Sequence, residues 1–166
     1  MSRKIIILLC VITAILIFFN LRSCESNAKK INQTMDEICR LNEMNQEELP
    51  AQTAIRASRI CEYFSPEVTI SLESVQISVS SRDELKQLIF LTRTRLNSIR
   101  IKSDNRRLTV DKDKQSATMF INIDLKLGSG GGHDSFNESF NIQWIKIEND
   151  WRIRKISHHE TIQMIE

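Results

Sequence analysis

Between Asn27 and Met44 the apolar residues Ile31, Met35, Ile38, Cys39 and Leu41 recur at intervals of three and four, the spacing of one helix face. The acidic pair Glu47-Glu48 and then Pro50 restart the pattern, because proline suits a first helical turn and acidic groups suit its dipole, so a second helix is expected from Pro50 to Phe64. Ser65-Pro66 should end it. The period then shortens to two: Val68 to Leu72 and Val75 to Val79 read as short strands. Ser81, with Glu84 three residues on, is a capping box that opens a helix to about Leu96, buried along Leu85, Leu88, Ile89 and Leu91 or Thr92.

Everything after Asn97 reads as strand and turn. Ser98 to Asp111 is one strand with a polar middle, and Asp111 to Lys114 is a charged turn. From Gln115 to Leu127 alternation places Ala117, Met119, Ile121, Ile123, Leu125 and Leu127 on one face, with Phe120 the exception on the other. Such a strand is half-buried in an antiparallel sheet. Gly128 to Asp134 is a flexible turn into a strand from Ser135 to Glu148, and Asn149-Asp150 should return the chain as Trp151 to His159.

The N-terminus breaks from this globular pattern. Arg3-Lys4 precede an apolar run from Ile5 to Phe19, which with Leu21 reaches roughly 17 residues, at the short limit for a membrane span and somewhat long for a signal core. Either reading means export, with residues 1–26 as anchor or signal, 27–46 as a joining amphipathic helix and 47–166 as the domain outside the cytoplasm. Leu21-Arg22-Ser23-Cys24 resembles a bacterial lipobox, which makes Cys24 the lipidation candidate, although Arg22 stands where that pattern has a small or apolar residue. Ser26-Asn27-Ala28 has the spacing that signal peptidase cleaves.

Composition narrows the classes further. A net charge of +2 over 166 residues gives no field to argue for nucleic acid, and no partner of that kind is expected. Of four cysteines, Cys39 and Cys61 fall in the folded part, each on a helix's apolar stripe, which favours buried thiols over a disulfide. No Cys-x-x-Cys occurs, so neither a redox dithiol nor a zinc ribbon is indicated.

The order of elements, carried by "YFSPEVTI" at Tyr63 to Ile70, the Ser81 to Leu96 helix, "VDKDKQSATMFINIDL" at Val110 to Leu125 and "IQWIKIENDWRIRKI" at Ile142 to Ile156, resembles the nuclear transport factor 2-like superfamily. That superfamily includes the ketosteroid isomerase-like and SnoaL-like proteins. The resemblance implies an α+β fold: helices packed on a curved mixed or antiparallel sheet, cone-shaped and cystatin-like. It implies a pocket inside the cone and dimerisation through the exposed sheet face, so a homodimer is a further expectation. It does not imply one activity, since enzymes, binding proteins and scaffolds share the shape. One subset, the periplasmic domains of certain secretion-machine components, likewise follows a single membrane helix and suggests an envelope assembly role.

If Asn149-Asp150 is a two-residue turn, one sheet face carries Phe136, Glu138, Phe140, Ile142, Trp144, Trp151, Ile153, Lys155, Ser157 and His159. Glu138 and His159 are then diagonal neighbours, and a carboxylate that orients an imidazole makes a workable general base. These two are the catalytic candidates for an isomerase or lyase; a one-residue bulge would move His159 to the other face. Trp144, Phe140, Trp151, Ser157 and Tyr63 are the ligand-binding candidates. His133, Asp134 and one of His158 and His159 do not form a fixed ligand set, so no metal and no cofactor is expected. Gly128 to Gly132 precedes a strand rather than a helix, which makes it a turn and not a phosphate cradle. The basic run Arg93 to Arg107 reads as a solvated face that could meet anionic lipid or an acidic protein. The sum is a membrane-tethered domain that binds a small apolar ligand or a membrane-associated protein, with catalysis as the alternative.

Overall fold

The computed structural model describes residues 27–72 and 76–159. The apolar leader, Cys10, Cys24 and the expected strand start at Val75 lie outside them. Among the described residues no helix is long and apolar enough to cross a membrane.

Helix α1 occupies 27–42 and buries Ile31, Met35, Ile38 and Leu41, the stripe that its spacing predicts. These four belong to the same core cluster as the sheet, so α1 is part of the domain rather than a connector to it. Helix α2 (Pro50–Cys61) starts at the proline and ends short of Phe64, because Phe64 is already the first residue of strand β1 (Phe64–Leu72). Pro66 therefore sits inside a strand. Having no N–H, it cannot donate to the ladder, and pairing to the neighbouring strand is interrupted between Phe64 and Thr69. Strand β2 (Ile77–Val79) turns back onto β1.

Helix α3 (Arg82–Arg93) has the expected cap: Ser81 Oγ accepts from the Glu84 N–H at 3.2 Å, and Glu84 Oε2 accepts from the Ser80 N–H at 2.8 Å. That backbone contact holds the Glu84 carboxyl below the usual range. The helix stops three residues early. Leu85 is buried and Leu88 and Ile89 pack partly against the core, but Leu91 is 52 % exposed, so the expected stripe ends at Ile89. The inward position of the last turn is taken by Arg93 instead, only 2 % exposed.

The remaining strands are β3 (Ser98–Val110), β4 (Ser116–Ser129), β5 (Gly132–Ile147) and β6 (Asp150–His158). The sheet runs β2-β1-β6-β5-β4-β3, antiparallel except for the parallel β1/β6 pair. The long β4 and β5 pair from Ser116↔Ile145 to Ser129↔Gly132, so the glycine turn shrinks to Gly130-Gly131. Irregularities between Asp104 and Arg107 and between Gln143 and Trp144 add local bend and twist, and the sheet curls around α1. At the first of these Asn105 adopts φ 50°, and Arg106 reaches back to Asp36 of α1 at 2.6 Å and Ser103 Oγ at 2.5 Å, latching helix to strand. Beyond α1, Met44 and Ile99 exchange backbone hydrogen bonds of 2.9 and 2.7 Å, which covers the start of the β3 edge.

Candidate functional site

Alternation on β4 sends Ala117, Met119 and Ile121 into the core and leaves Ile123 and Leu125 further out on the same concave face. Between that outer half and α1 lies a cavity of about 290 Å³. Met35 and Ile38 of α1 face Ile123, Phe140, Ile142 and Ile156 of the sheet across it. Its wall is hydrocarbon apart from Asn42 and Cys39. Asn42 turns its amide N–H to the Ile38 carbonyl at 2.8 Å, and burial pushes the Cys39 thiol pKa up, so neither brings charge into the space. Cys39 and Cys61 are free thiols.

Glu138 and His158 lie on the same concave face, next to this wall but not among the side chains that line the cavity. Glu138 is paired with the cavity-lining Ile123, and His158 with the cavity-lining Phe140. Glu138 Oε2 is hydrogen-bonded to His158 Nε2, both side chains are 34 % exposed, and the Phe140 ring meets the imidazole edge-on at 6.2 Å. A carboxylate holding one ring nitrogen fixes the imidazole's orientation and leaves the other nitrogen to exchange a proton or a hydrogen bond. Among the described residues His158 Nδ1 has no protein partner.

The expected partner was His159, and the register explains the change. The β5–β6 turn falls at Glu148-Asn149, with Glu148 at φ 59° and Ile147 opposite Asp150, one residue earlier than the sequence suggests. This alone keeps the faces, and Trp144 lies opposite Ile153. Arg154 is then an extra residue: Gln143 pairs with Lys155, Ile142 with Ile156 and Phe140 with His158. A single inserted residue reverses every side chain beyond it. Lys155, Ser157 and His159 therefore leave the concave face, and Ile156 and His158 replace them. The signal was legible, since the apolar positions Trp151, Ile153 and Ile156 step by two and then by three.

The other candidates divide. Phe140 lines the cavity. Trp144 and Trp151, 1 % and 4 % exposed, fill the core beneath it, and neither indole N–H has a hydrogen-bond partner among the described residues. Ser157 lies beside Asn141 on the outer face. There the His159 ring is held by Asn141, with Nδ2 to Nδ1 at 3.0 Å, and meets Phe120 edge-on at 4.7 Å. Tyr63 lines a separate surface cleft of about 320 Å³ with Trp151, Gln33 and Thr34. A wider cleft of about 740 Å³ runs between the 43–49 loop and α2, but two of its arginines are already engaged, Arg40 by Glu37 and Arg56 by Glu48. Among the described residues no group of three or more His, Cys, Asp or Glu side chains is placed to hold a metal.

No known sequence family and no curated protein matches the chain. Solved structures do. A candidate scytalone dehydratase from Novosphingobium aromaticivorans superposes with a TM-score of 0.71 at 10 % identity, over 88 % of this chain and 99 % of that one. A nuclear transport factor 2-like protein with a cystatin-like fold from the same organism gives 0.64 at 12 % identity over 89 % of each chain. A Catenulispora acidiphila protein solved in complex with S-DNPA gives 0.58 at 9 % identity over 80 % and 92 %. At such identities the likeness is one of fold: this chain has the cone fold of the nuclear transport factor 2-like and SnoaL-like proteins.

Proposed function

We propose that this protein binds a small, largely apolar molecule inside the cone, with the molecule's polar end at Glu138 and His158. The observation that carries this reading is the cavity itself: hydrocarbon walls from six strands and two helices, with one polar pair beside it on the same sheet face. Apolar lining with a few placed polar groups is the usual form of a small-molecule site, and this one is near the small end of the range. Packed to interior density, such a volume takes roughly a dozen heavy atoms. The neighbour solved with S-DNPA supports ligand binding as a use of this fold. If the apolar run ahead of residue 27 anchors the chain, the domain works outside the cytoplasm beside a membrane, within reach of membrane-associated partners.

A second reading rests on the hydrogen bond between Glu138 and His158. Glu138 would orient the imidazole, and His158, not His159, would move a proton on the ligand's exposed end, as in an isomerase or lyase. Mass spectrometry of organic extracts from the purified, folded protein tests both readings. The binding reading expects the wild type and His158→Ala to release the same small molecule and the cavity-filling variant Ile123→Phe to release none. A chemically different species retained by His158→Ala, substrate in place of product, supports proton transfer. Identical extracts from the wild type and Ile123→Phe contradict both.

A further inference from the structure

The outer face of the sheet carries an unusual arrangement at its β3–β5 end. Register places Ser98, Gly128 and His133 in one cross-strand row, Arg100, Lys126 and Ser135 in the next, and Lys102, Asp124 and Asn137 in the third. Arg100 and Lys126 are thus directly opposite each other, a like-charge pairing that works against the sheet. Arg100, Lys102 and Lys126 are all exposed, and among the described residues none has an ion-pair partner; Asp124 is the one acid in the three rows. Arg95, also exposed, lies at the same end in the turn from α3. Elsewhere arginines find carboxylates readily: Arg40, Arg56, Arg93, Arg106 and Arg152 each have one.

We propose that this face is a docking surface for a bilayer rich in anionic headgroups. The cations are long, flexible side chains on the outer face of the sheet, roughly 5 Å apart across strands and 7 Å apart along them. Such an array suits a fluid, two-dimensional layer of charge, which supplies an anion wherever a cation reaches. The hairpin tip beside it carries exposed Gly130 and Gly131, which have no side chains to hold the sheet away from a membrane. The proposal is independent of any ligand in the cone, whose walls are on the opposite face.

The test uses the full chain, so that any contribution of the apolar leader is common to every variant. Co-sedimentation is measured with vesicles of pure phosphatidylcholine and of equimolar phosphatidylcholine and phosphatidylglycerol, and the ratio of the two partition coefficients is the readout. The wild type should prefer the anionic vesicles, and the preference should fade at high salt. In Arg100→Ala/Lys102→Ala/Lys126→Ala the ratio should fall about fivefold per cation removed. The control Lys30→Ala/Lys86→Ala, both exposed and away from this face, should keep nearly all of it. A ratio unchanged in the triple variant, or an equal loss in the control, overturns the proposal. Circular dichroism confirms that each variant is folded.

Discussion

Replacing Glu48 with alanine should destabilise the fold far more than a surface charge would. Arg93 is buried at the end of α3, its side chain 1 % exposed, and Glu48 receives it bidentately, Nε to Oε2 at 3.1 Å and Nη2 to Oε1 at 2.9 Å. Arg56 shares the same carboxylate at 3.0 Å, and Arg93 Nη1 donates to the Asn42 carbonyl at 2.8 Å. The pair therefore ties the loop after α1 to α3, and it holds Asn42 in the cavity wall. Without Glu48 a guanidinium stays buried with one backbone acceptor, a situation that costs about 3–5 kcal/mol, against a total stability of about 5–15 kcal/mol for a domain of this kind. Urea unfolding followed by tryptophan fluorescence should show the midpoint falling with the slope unchanged. Glu48→Gln, which keeps one acceptor, should lose less. Glu48→Leu/Arg93→Met, which removes both charges, should recover most of the loss. A drop of less than about 1 kcal/mol for Glu48→Ala, the range of exposed pairs, would refute the claim that Arg93 is cut off from water.

Two further outcomes follow from other sites. Burial raises the Cys61 thiol pKa to about 11 from its ordinary 9.0, so the neutral thiol is favoured in the folded state. The sign is that of a group stabilising below its unfolded pKa: stability should be intact below about pH 9 and decline as pH rises toward 11. Cys61→Ala should lose that alkaline slope; an unchanged slope in thermal melts would exclude Cys61 as its source. At Gly128 a methyl group would collide with Ser98 Oγ and lie 2.7 Å from Asn97 Oδ1 and 3.1 Å from His133 Nδ1. Gly128→Ala should therefore cost about 1–3 kcal/mol, partly restored by adding Ser98→Gly. A melt indistinguishable from the wild type would show that those side chains yield freely.

Local rules made much of this legible. The three-and-four spacing from Ile31 to Leu41, the proline start of α2, the Ser81–Glu84 cap and the alternation from Ala117 to Leu127 each reflect a single element's own chemistry, and each appears in the structure. The element ends were less legible, because tertiary packing sets them. Phe64 joined β1 rather than completing α2, and buried Arg93 took the inward place expected of Leu91 or Thr92 because Glu48, far away in sequence, was there to receive it. The candidate site failed on one residue. Arg154 contributes no partner across the ladder, and that insertion exchanged Ser157 and His159 for Ile156 and His158, while Glu138 and Phe140 on the unbroken strand stayed where alternation put them. A pairing inferred from two strands inherits the register of both, and a bulge is specified by twist and packing more than by any residue type.

The cavity in the cone carries the functional reading, and titration with 1-naphthol, a fluorescent apolar dye small enough for that volume, tests it directly, comparing the folded wild type with Ile123→Phe. An open hydrocarbon cavity predicts saturable one-to-one binding to the wild type, its loss in the variant, and no loss of stability from the larger side chain, which enters vacant space. A closely filled interior would instead make Ile123→Phe overpacked by about 1–3 kcal/mol and leave the dye unbound by either protein, and that pair of results would contradict the account.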